Sequence, residues 1–410
     1  MPLRFAPILP VLLGVASAQL GLGLLSPLIT LLLLGTGTSV LAIGVVASAY
    51  FVGFLAGALT APRLVLRVGH IRAFAAFAAV AAIMAQSMVF AHEAWQLACA
   101  RVVMGYASSG MFLVAESWLN DRAEAATRGR IFGAYQVVNW SASAAGPLAL
   151  NLLPPSPALF AACGVAFTAS LLPMALTRQS NPEIDARVTL KLRRLYAASP
   201  VGVMCCVAGG LLNSSFYALV PVYLGERGLD AGRIAGFLSL ALIAAFLVQY
   251  PLGLLADRFG RRRLTLVVVL AGLCAAIVLA ALRQPPAIVI QALGCLLAAS
   301  TAPLYGLGAG QVNDRLERGE YVAAAGGLLF LWSVGAAVGP GIAGALMRPL
   351  GSTGLFVHLG AVLALVAAFT LFRMRRRSDL PLDLQSPFVP GGATPPRLPQ
   401  LASPTEAEVG

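Results

Sequence analysis

The stretch LLADRFGRRRLTL, from Leu254 to Leu266, gathers one acid and four arginines between two long apolar runs. The chain around it holds 410 residues, of which 59% are hydrophobic and 11% are charged, and its mean hydropathy is +0.85. Soluble domains average about 45–50% apolar and about 25% charged residues. This chain has too few charges to cover its apolar surface in water, so a lipid bilayer is the solvent that suits it.

Apolar stretches of about 20 residues, the length that a helix needs to cross hydrocarbon, recur along the whole chain. Backbone groups in hydrocarbon must bond to one another, and the alternating pattern of barrel strands is missing, so helices are expected. The sequence therefore predicts an all-α membrane protein with twelve transmembrane helices. The predicted spans are 6–33, 39–61, 71–91, 94–118, 131–152, 155–177, 200–224, 231–256, 264–283, 286–310, 322–347 and 353–373.

The basic segments, including the opening stretch, fall on alternate loops between these spans. About 23 of the 28 lysines and arginines lie on one side, about four lie on the other, and Arg101 lies inside the fourth span. Loops rich in Lys and Arg stay in the cytoplasm, so the basic side and both termini are predicted to be cytoplasmic, in a bacterial inner membrane. The net charge of +12 reflects this topology. Nucleic-acid binding is not expected, because no basic patch sits on a soluble domain.

Two short motifs occur twice at nearly one offset. RVGHIR at Arg67–Arg72 matches RFGRRR at Arg258–Arg263, 191 residues later, and AAGP ending at Pro147 matches AVGP ending at Pro340, 193 residues later. The shared offset predicts a duplicated six-helix unit, and two parallel halves with a site between them are a known transporter plan. The predicted units are an N-terminal half (1–177), a cytoplasmic linker (178–199), a C-terminal half (200–374) and a disordered, Pro-rich cytoplasmic tail (375–410).

Three segments carry a resemblance to a known family. GLLADRFGRRR (253–263) resembles the loop motif of the major facilitator superfamily, ARVVMGYASSG (100–110) resembles its fourth-span pattern, and residues 327–344 resemble its Gly-rich Gly-Pro helix. VAESWL (114–119) and RGRIFGAYQVVNW (128–140) look like its small YcaD-like bacterial branch. The resemblance covers about residues 6–373. It implies the major facilitator fold, with two pseudo-symmetric halves that carry a small molecule by alternating access and need no cofactor.

The resemblance also implies that the loop motif clamps the two halves in the outward-facing state. Gly253 and Gly260 permit close backbone approach and a tight turn. Asp257 can lie near a helix N-terminus, where an anion is favoured. Arg258 and Arg261 can bridge to acids or carbonyls. The alternative interpretation is a segment that only anchors the topology.

The first-half copy of this motif is degraded, since Leu66 stands where the acid is expected. Glu116, at the basic end of the fourth span, can replace the missing acid by pairing with an arginine of that loop, or can form a plain structural ion pair. The predicted gating set is completed by Arg67, Gly69, Arg72, Glu116, Gly339 and Pro340.

Arg101 is the basic residue placed inside a span. A charge at the helix centre costs about 2.5–3.5 kcal/mol on insertion scales, so such a residue usually faces a cavity or a partner. The alternative is an arginine that extends its head group to the nearby membrane surface. Polar residues of other spans complete a predicted substrate site of Gln19, Arg101, Gln136, Asn139, Asn213, Tyr217, Tyr305 and Trp332. For each of them, hydrogen bonding between helices is an equally open role.

No Asp or Glu is predicted deep inside a span, which favours an organic anion or a neutral polar solute over a cation. The favoured function is a secondary active or facilitative transporter that works as a monomer in membrane lipid. One alternative is proton-linked efflux of drugs or amphiphilic metabolites, with protons as partners. Another is a non-transporting membrane sensor with the same fold. No constellation of residues suggests an enzyme, and the scattered histidines and in-span cysteines suggest no metal site.

Deletion of residues 378–410 is expected to leave transport unchanged, because this segment is polar, Pro-rich and separate from the predicted helices. The transport rate per amount of membrane-inserted protein measures this. A rate that falls at equal membrane content would contradict the prediction.

Overall fold

The computed structural model describes residues 8–122, 127–177, 192–282, 284–317, 320–376 and 385. The greater part of the predicted linker and nearly all of the predicted tail lie outside the described residues. The described residues form fourteen α-helices: α1 (Leu9–Gly35), α2 (Val40–Val68), α3 (His70–Ser87), α4 (Ala94–Asp121), α5 (Arg128–Ala145), α6 (Ala158–Ala175), α7 (Leu192–Ala198), α8 (Pro200–Gly225), α9 (Ala231–Phe259), α10 (Arg261–Ala281), α11 (Ala287–Thr301), α12 (Leu304–Asn313), α13 (Tyr321–Leu350) and α14 (Gly354–Arg376). Short 3-10 turns extend α3 and α5 at Met88–Phe90 and Gly146–Asn151, and a third, Gly351–Thr353, precedes α14.

The predicted fold class is confirmed. Ten segments of the described chain are long and apolar enough to cross a membrane, and the last of them, Ala323–Arg376, contains both α13 and α14. The remaining segment is α5, which falls short because it carries polar side chains such as Gln136, Asn139 and Ser143. With α5 included, the described residues provide the twelve segments that the sequence predicts.

The helices form two groups that repeat one arrangement. In the first, α2 packs against α4, and α1 and α3 pack against α6. In the second, α9 packs against α11, and α8 and α10 pack against α14. The groups meet where α2 contacts α13, α5 contacts α9 and α1 contacts α8. Since α2 and α9 both end at repeated basic loops, we call that side of the bundle the basic end and the other side the opposite end.

Glycines allow neighbouring backbones to touch in the closest helix contacts. A Cβ atom on Gly53 of α2 would overlap the Val102 carbonyl of α4, and one on Gly105 of α4 would overlap α2. The α8–α13 contact has the same character at Gly210 and Gly335. Lipid tails are as apolar as side chains, so van der Waals packing of this kind is a main source of helix association in a membrane.

Two local features differ from the sequence prediction. The predicted linker contains helix α7, and the exposed Arg194 on it donates to Glu320, just before α13, at 2.7 Å between Nη2 and Oε2. The Glu320 carboxylate raises the pKa of Arg194. The predicted tenth span is broken into α11 and α12 around Pro303, because proline has no N–H for the helix ladder.

Gly53→Leu is expected to lower the stability of the folded protein by at least about 1–3 kcal/mol, the usual cost of forcing extra carbons into a packed contact. Thermal unfolding in detergent measures this. Gly236→Leu is the matched control, because a Cβ atom on Gly236 meets no atom within 4 Å. Equal melting temperatures for the two variants would contradict the packing role.

Candidate functional site

A cavity of about 970 Å³ lies between the two halves, at the upper end of the range for small-molecule sites. Both halves line it, through α1, α2, α4 and α5 on one side and α8, α9, α12 and α13 on the other. The structure places all eight residues of the predicted substrate site on its lining: Gln19, Arg101, Gln136, Asn139, Asn213, Tyr217, Tyr305 and Trp332. Their role in binding stays a prediction.

Hydrogen bonds join the two halves near the opposite end. The Ser48 hydroxyl of α2 accepts the backbone N–H of Gly341 in α13 at 3.2 Å. The Ser239 hydroxyl of α9 donates to the Ala144 carbonyl of α5 at 2.6 Å. Both serines lie two turns from the start of their helices, so the two contacts are related by the internal repeat. Toward the basic end, by contrast, the cavity extends as far as Arg261.

Two aromatic pairs join the halves inside the cavity. Phe51 of α2 meets Trp332 of α13 with ring centroids 6.0 Å apart, and Phe246 of α9 meets Trp140 of α5 at 6.3 Å. All four rings line the cavity. The tryptophans are 192 residues apart, and the phenylalanines are 195 apart, about one helical turn more than the offset of 191 between α2 and α9. The two pairs therefore join corresponding helices without occupying equivalent positions. Sequence analysis missed both phenylalanines.

Arg101 is buried in the first half at the edge of the cavity, with 4% of its surface exposed. Its guanidinium carbon lies 4.5 Å from the centre of the Tyr50 ring, and Nη2 donates to the Ser26 hydroxyl at 3.4 Å. Nη1 is buried and has no hydrogen-bond partner among the described residues. No acidic side chain of the described chain lies within ion-pair distance of it. The alternative in which this arginine reaches the membrane surface is wrong, because its head group is enclosed.

Several of the other polar lining residues are bonded to protein. Gln19 of α1 donates to Asn139 of α5, and Asn213 of α8 donates to the carbonyls of Gly209 at 2.8 Å and Thr301 at 3.2 Å. Hydrogen bonding between helices therefore accounts for these three residues. The Tyr217 hydroxyl is different, because it is buried without a partner among the described residues. Arg101, Tyr217 and Asn313 each line the cavity with a buried polar atom that has no partner among the described residues.

The repeated basic loops make the same turn in both halves. Gly69 has φ +85° between α2 and α3, and Gly260 has φ +85° between α9 and α10. Residues with a Cβ atom rarely adopt this conformation. Both helices therefore reverse within a single residue, which fixes the side chains that follow.

In the second half, the residue after this turn is held by an acid that sequence analysis missed. Arg261 Nε lies 2.9 Å from the Asp314 carboxylate, whose side chain is 3% exposed. Asp257, the acid of the loop motif, lies 3.9 Å from Nη2 and is 32% exposed. Asp314 is therefore the closer and better-buried partner. The signal for it was present, because Asn-Asp-Arg occurs at 120–122 and again at 313–315, 193 residues later.

The other predicted gating residues of the second half occupy different surroundings. Gly253 is buried on the cavity lining, whereas Arg258 is exposed beside the Phe259 ring, 5.5 Å from its centre. Gly339 and Pro340 lie where α13 contacts α8 and α2: a Cβ atom on Gly339 would stand 2.7 Å from the Ser215 hydroxyl.

The first-half loop is held in another way. His70 stands at the position equivalent to Arg261, is 2% exposed, and hydrogen-bonds through Nε2 to the Ser117 hydroxyl at 3.0 Å. Arg67 and Arg72 are exposed. The considered pairing of Glu116 with one of them is wrong, because its carboxylate accepts a hydrogen bond from the Tyr135 hydroxyl at 3.3 Å and neither arginine is within ion-pair distance. Within the described ranges, no three His, Cys, Asp or Glu side chains gather as a metal site requires.

Comparisons with known proteins agree with this architecture. The family model described as Major Facilitator Superfamily matches residues 11–248 and 237–402. The uncharacterized MFS-type transporter YcaD of Salmonella typhi is 28% identical over 379 residues, which cover 88% of this chain and 94% of the relative. YcaD of Escherichia fergusonii is 27% identical over 399 residues, covering 93% and 99%.

Two solved structures share the fold at low sequence identity. A variant of the nucleoside transporter NupG superimposes with a TM-score of 0.76 at 10% identity and covers 89% of this chain and 99% of its own. A bacterial homolog of the human lysosomal transporter Spinster, in an inward-facing and unoccupied conformation, gives 0.74 at 14% identity, covering 93% and 98%.

Asp314→Asn is expected to destabilise the protein by about 3 kcal/mol, because it leaves the buried Arg261 without its closest acid. Asp257→Asn is the matched control and should cost less than about 1 kcal/mol, since that ion pair is long and partly exposed. Thermal unfolding in detergent compares the two. A larger loss for Asp257→Asn would show that it is the main partner.

Proposed function

The chain belongs to the major facilitator superfamily, and we propose that it is a secondary active or facilitative carrier that moves a small organic molecule by alternating access. The observation that supports this most is the cavity between the halves. Both halves line it, hydrogen bonds join them near the opposite end, and it extends toward the basic end as far as Arg261. A site in such a cavity can be exposed to either side when the halves rock about it.

The membrane orientation follows from the basic loops. We place the protein in a bacterial inner membrane with the basic end and both termini in the cytoplasm, because loops rich in Lys and Arg are retained there. With that orientation, we infer that the carrier is in its inward-facing state. The carrier works as a monomer surrounded by lipid.

Rocking exchanges one set of contacts between the halves for another. In the inward-facing state, α2 and α13 touch so closely that a Cβ atom on Gly44 would overlap the Pro340 carbonyl. Opening outward must separate this contact and bring the two basic loops together. We assign the closing of the cytoplasmic side to those loops, through Gly253, Asp257, Arg258, Gly260 and Arg261 in one half and Arg67, Gly69, Arg72 and Glu116 in the other.

The polar atoms of the cavity determine what it can recognise. Asp314 is the only carboxylate among the described residues that line it, and Arg261 pairs with that carboxylate. Among its polar groups, the lining offers a substrate the guanidinium of Arg101, which carries a positive charge, and the hydroxyl of Tyr217. We propose Arg101 as the residue that contacts the substrate most directly.

Gly44→Leu is expected to hold the carrier open to the periplasm, because the added side chain prevents α2 and α13 from closing. Transport should fall at least about tenfold. In a cysteine-free background, Ala47→Cys on the cavity lining reports the state. It should react with a membrane-impermeant maleimide added outside intact cells when Gly44→Leu is present, and react little without it.

The matched control for this substitution is Gly236→Leu, whose added side chain has open space around it. It should leave both transport and labelling as they are. Labelling of Ala47→Cys that is the same with and without Gly44→Leu would contradict the role of this contact.

A further inference from the structure

We infer that the transported molecule is an amphipathic organic acid, whose carboxylate binds Arg101 and whose ring-containing body lies between the two Phe–Trp pairs. The inference rests on the proposed carrier function and names the substrate class of that same cavity.

The charge of the cavity supports an acid. Among the described residues, two arginines and one carboxylate line it: Arg101, Arg261 and Asp314. The last two are paired at 2.9 Å, which leaves the positive charge of Arg101 without a counterion among the described residues. Its free Nη1 is a strong donor, and a guanidinium binds a carboxylate through charge-assisted hydrogen bonds. A ligand with one negative charge balances this site.

The rest of the lining supports an apolar, ring-containing body. Ten aromatic side chains line the cavity: Tyr50, Phe51, Phe54, Phe112, Trp140, Tyr217, Phe246, Tyr250, Tyr305 and Trp332. Stacking and edge-to-face contacts with such rings favour a flat apolar partner. A small inorganic anion leaves these faces uncovered.

The acid site and the aromatic rings form one continuous surface. The Arg101 guanidinium lies over Tyr50, the Tyr50 ring meets Phe51 at 5.1 Å between centroids, and Phe51 meets Trp332 of the other half. A molecule that places its acid group on Arg101 therefore reaches the boundary between the halves with its body.

The repeat gives the bound molecule a direction. The aromatic pairs occur in both halves, but the residue 193 positions after Arg101 is Gly294, which lies against the Phe237 ring. A charged head group thus has a site in the first half, and the body extends toward the second. There the Tyr217 hydroxyl can bond one further polar group of the ligand. Contact with both halves lets one molecule favour their closure around it.

Three probes share a naphthyl ring system and differ in the charge of the attached group. Their affinities therefore separate the contribution of the charge from that of the ring system. Isothermal titration calorimetry on the purified full-length protein compares 2-naphthoate, 2-naphthylmethanol and 2-naphthylmethylammonium, with acetate as an acid without a body. We expect 2-naphthoate to bind at least about tenfold more tightly than the alcohol or the ammonium, and acetate not to bind measurably.

Variants of the protein test which residue provides the preference for the acid and which contacts the ring system. Arg101→Gln should remove the preference for the acid while the alcohol binds as before. Trp332→Leu should weaken the acid and the alcohol alike. Arg227→Gln is the control, because Arg227 lies over Tyr223 at the opposite end, donates to Ser352 and does not line the cavity. It should change neither affinity.

The inference is overturned if the ammonium or the alcohol binds as well as the acid, or if Arg101→Gln keeps the preference. Absence of binding by all three naphthyl probes to protein with its normal melting temperature also overturns it. Maleimide labelling of Ala47→Cys tests the carrier function separately. If labelling still responds to Gly44→Leu while the acid preference is missing, the carrier stands and the substrate class is wrong. If labelling of Ala47→Cys does not respond to Gly44→Leu, the proposed carrier function is wrong, regardless of which probes bind.

Discussion

Hydrocarbon offers no hydrogen bonds, so each polar group in the membrane must find a partner within the protein, and the architecture depends on this constraint. The backbone meets it with helices. Hydroxyl side chains meet it by bonding to the carbonyl one turn earlier, as Ser108 does with Met104 at 2.9 Å and Ser333 with Leu329 at 2.8 Å. Glycines then bring the satisfied backbones into contact. In the cavity, Arg101 and Tyr217 each keep a polar atom without a partner among the described residues.

The features that the two halves share determine the shape of the cavity, and the residues that differ between the halves determine its charge. The Phe–Trp pairs, the serine contacts near the opposite end and the turns at Gly69 and Gly260 occur in both halves. Arg101 has no charged equivalent, so the frame is symmetric but the charge is not. The loops differ as well: a buried arginine–carboxylate pair holds the second, whereas His70 and a serine hydroxyl hold the first. Each loop is therefore held in place within its own half, and the kind of interaction that holds it differs between the halves.

The fold could be predicted from the sequence because its determinant is local. A run of about 20 apolar residues predicts a membrane-spanning helix from its own composition. The alternation of basic loops then predicts in which direction each helix crosses the membrane. Polar residues within spans were also informative, since all eight selected for the site line the cavity. That result follows from the same constraint: a polar side chain in a membrane helix has to face protein or a cavity rather than lipid.

What sequence reasoning missed depends on distances between helices. Phe51 and Phe246 are apolar residues within apolar runs, so composition does not set them apart. Asp314 lies 53 residues from Arg261, and only the packing of α12 against α10 shows that they meet. For Glu116 the sequence suggested either a loop arginine or another structural ion pair, because charge alone does not show that the Tyr135 hydroxyl is its neighbour. Helix α7 is a single short helix among charged residues and has no apolar run to reveal it.

The polar character of α5 has a consequence for how the protein is made. A helix partitions from the translocon into lipid by its own apolarity, and α5 falls short of the apolarity that marks a spanning segment in the rest of the described chain. Its Asn139 accepts a hydrogen bond from Gln19 of α1, which is synthesised 120 residues earlier. Insertion of α5 therefore depends on α1 being close by when it emerges. Biogenesis of the first half is then cooperative, and the residues that shape the cavity also dictate the order in which its helices can settle in the bilayer.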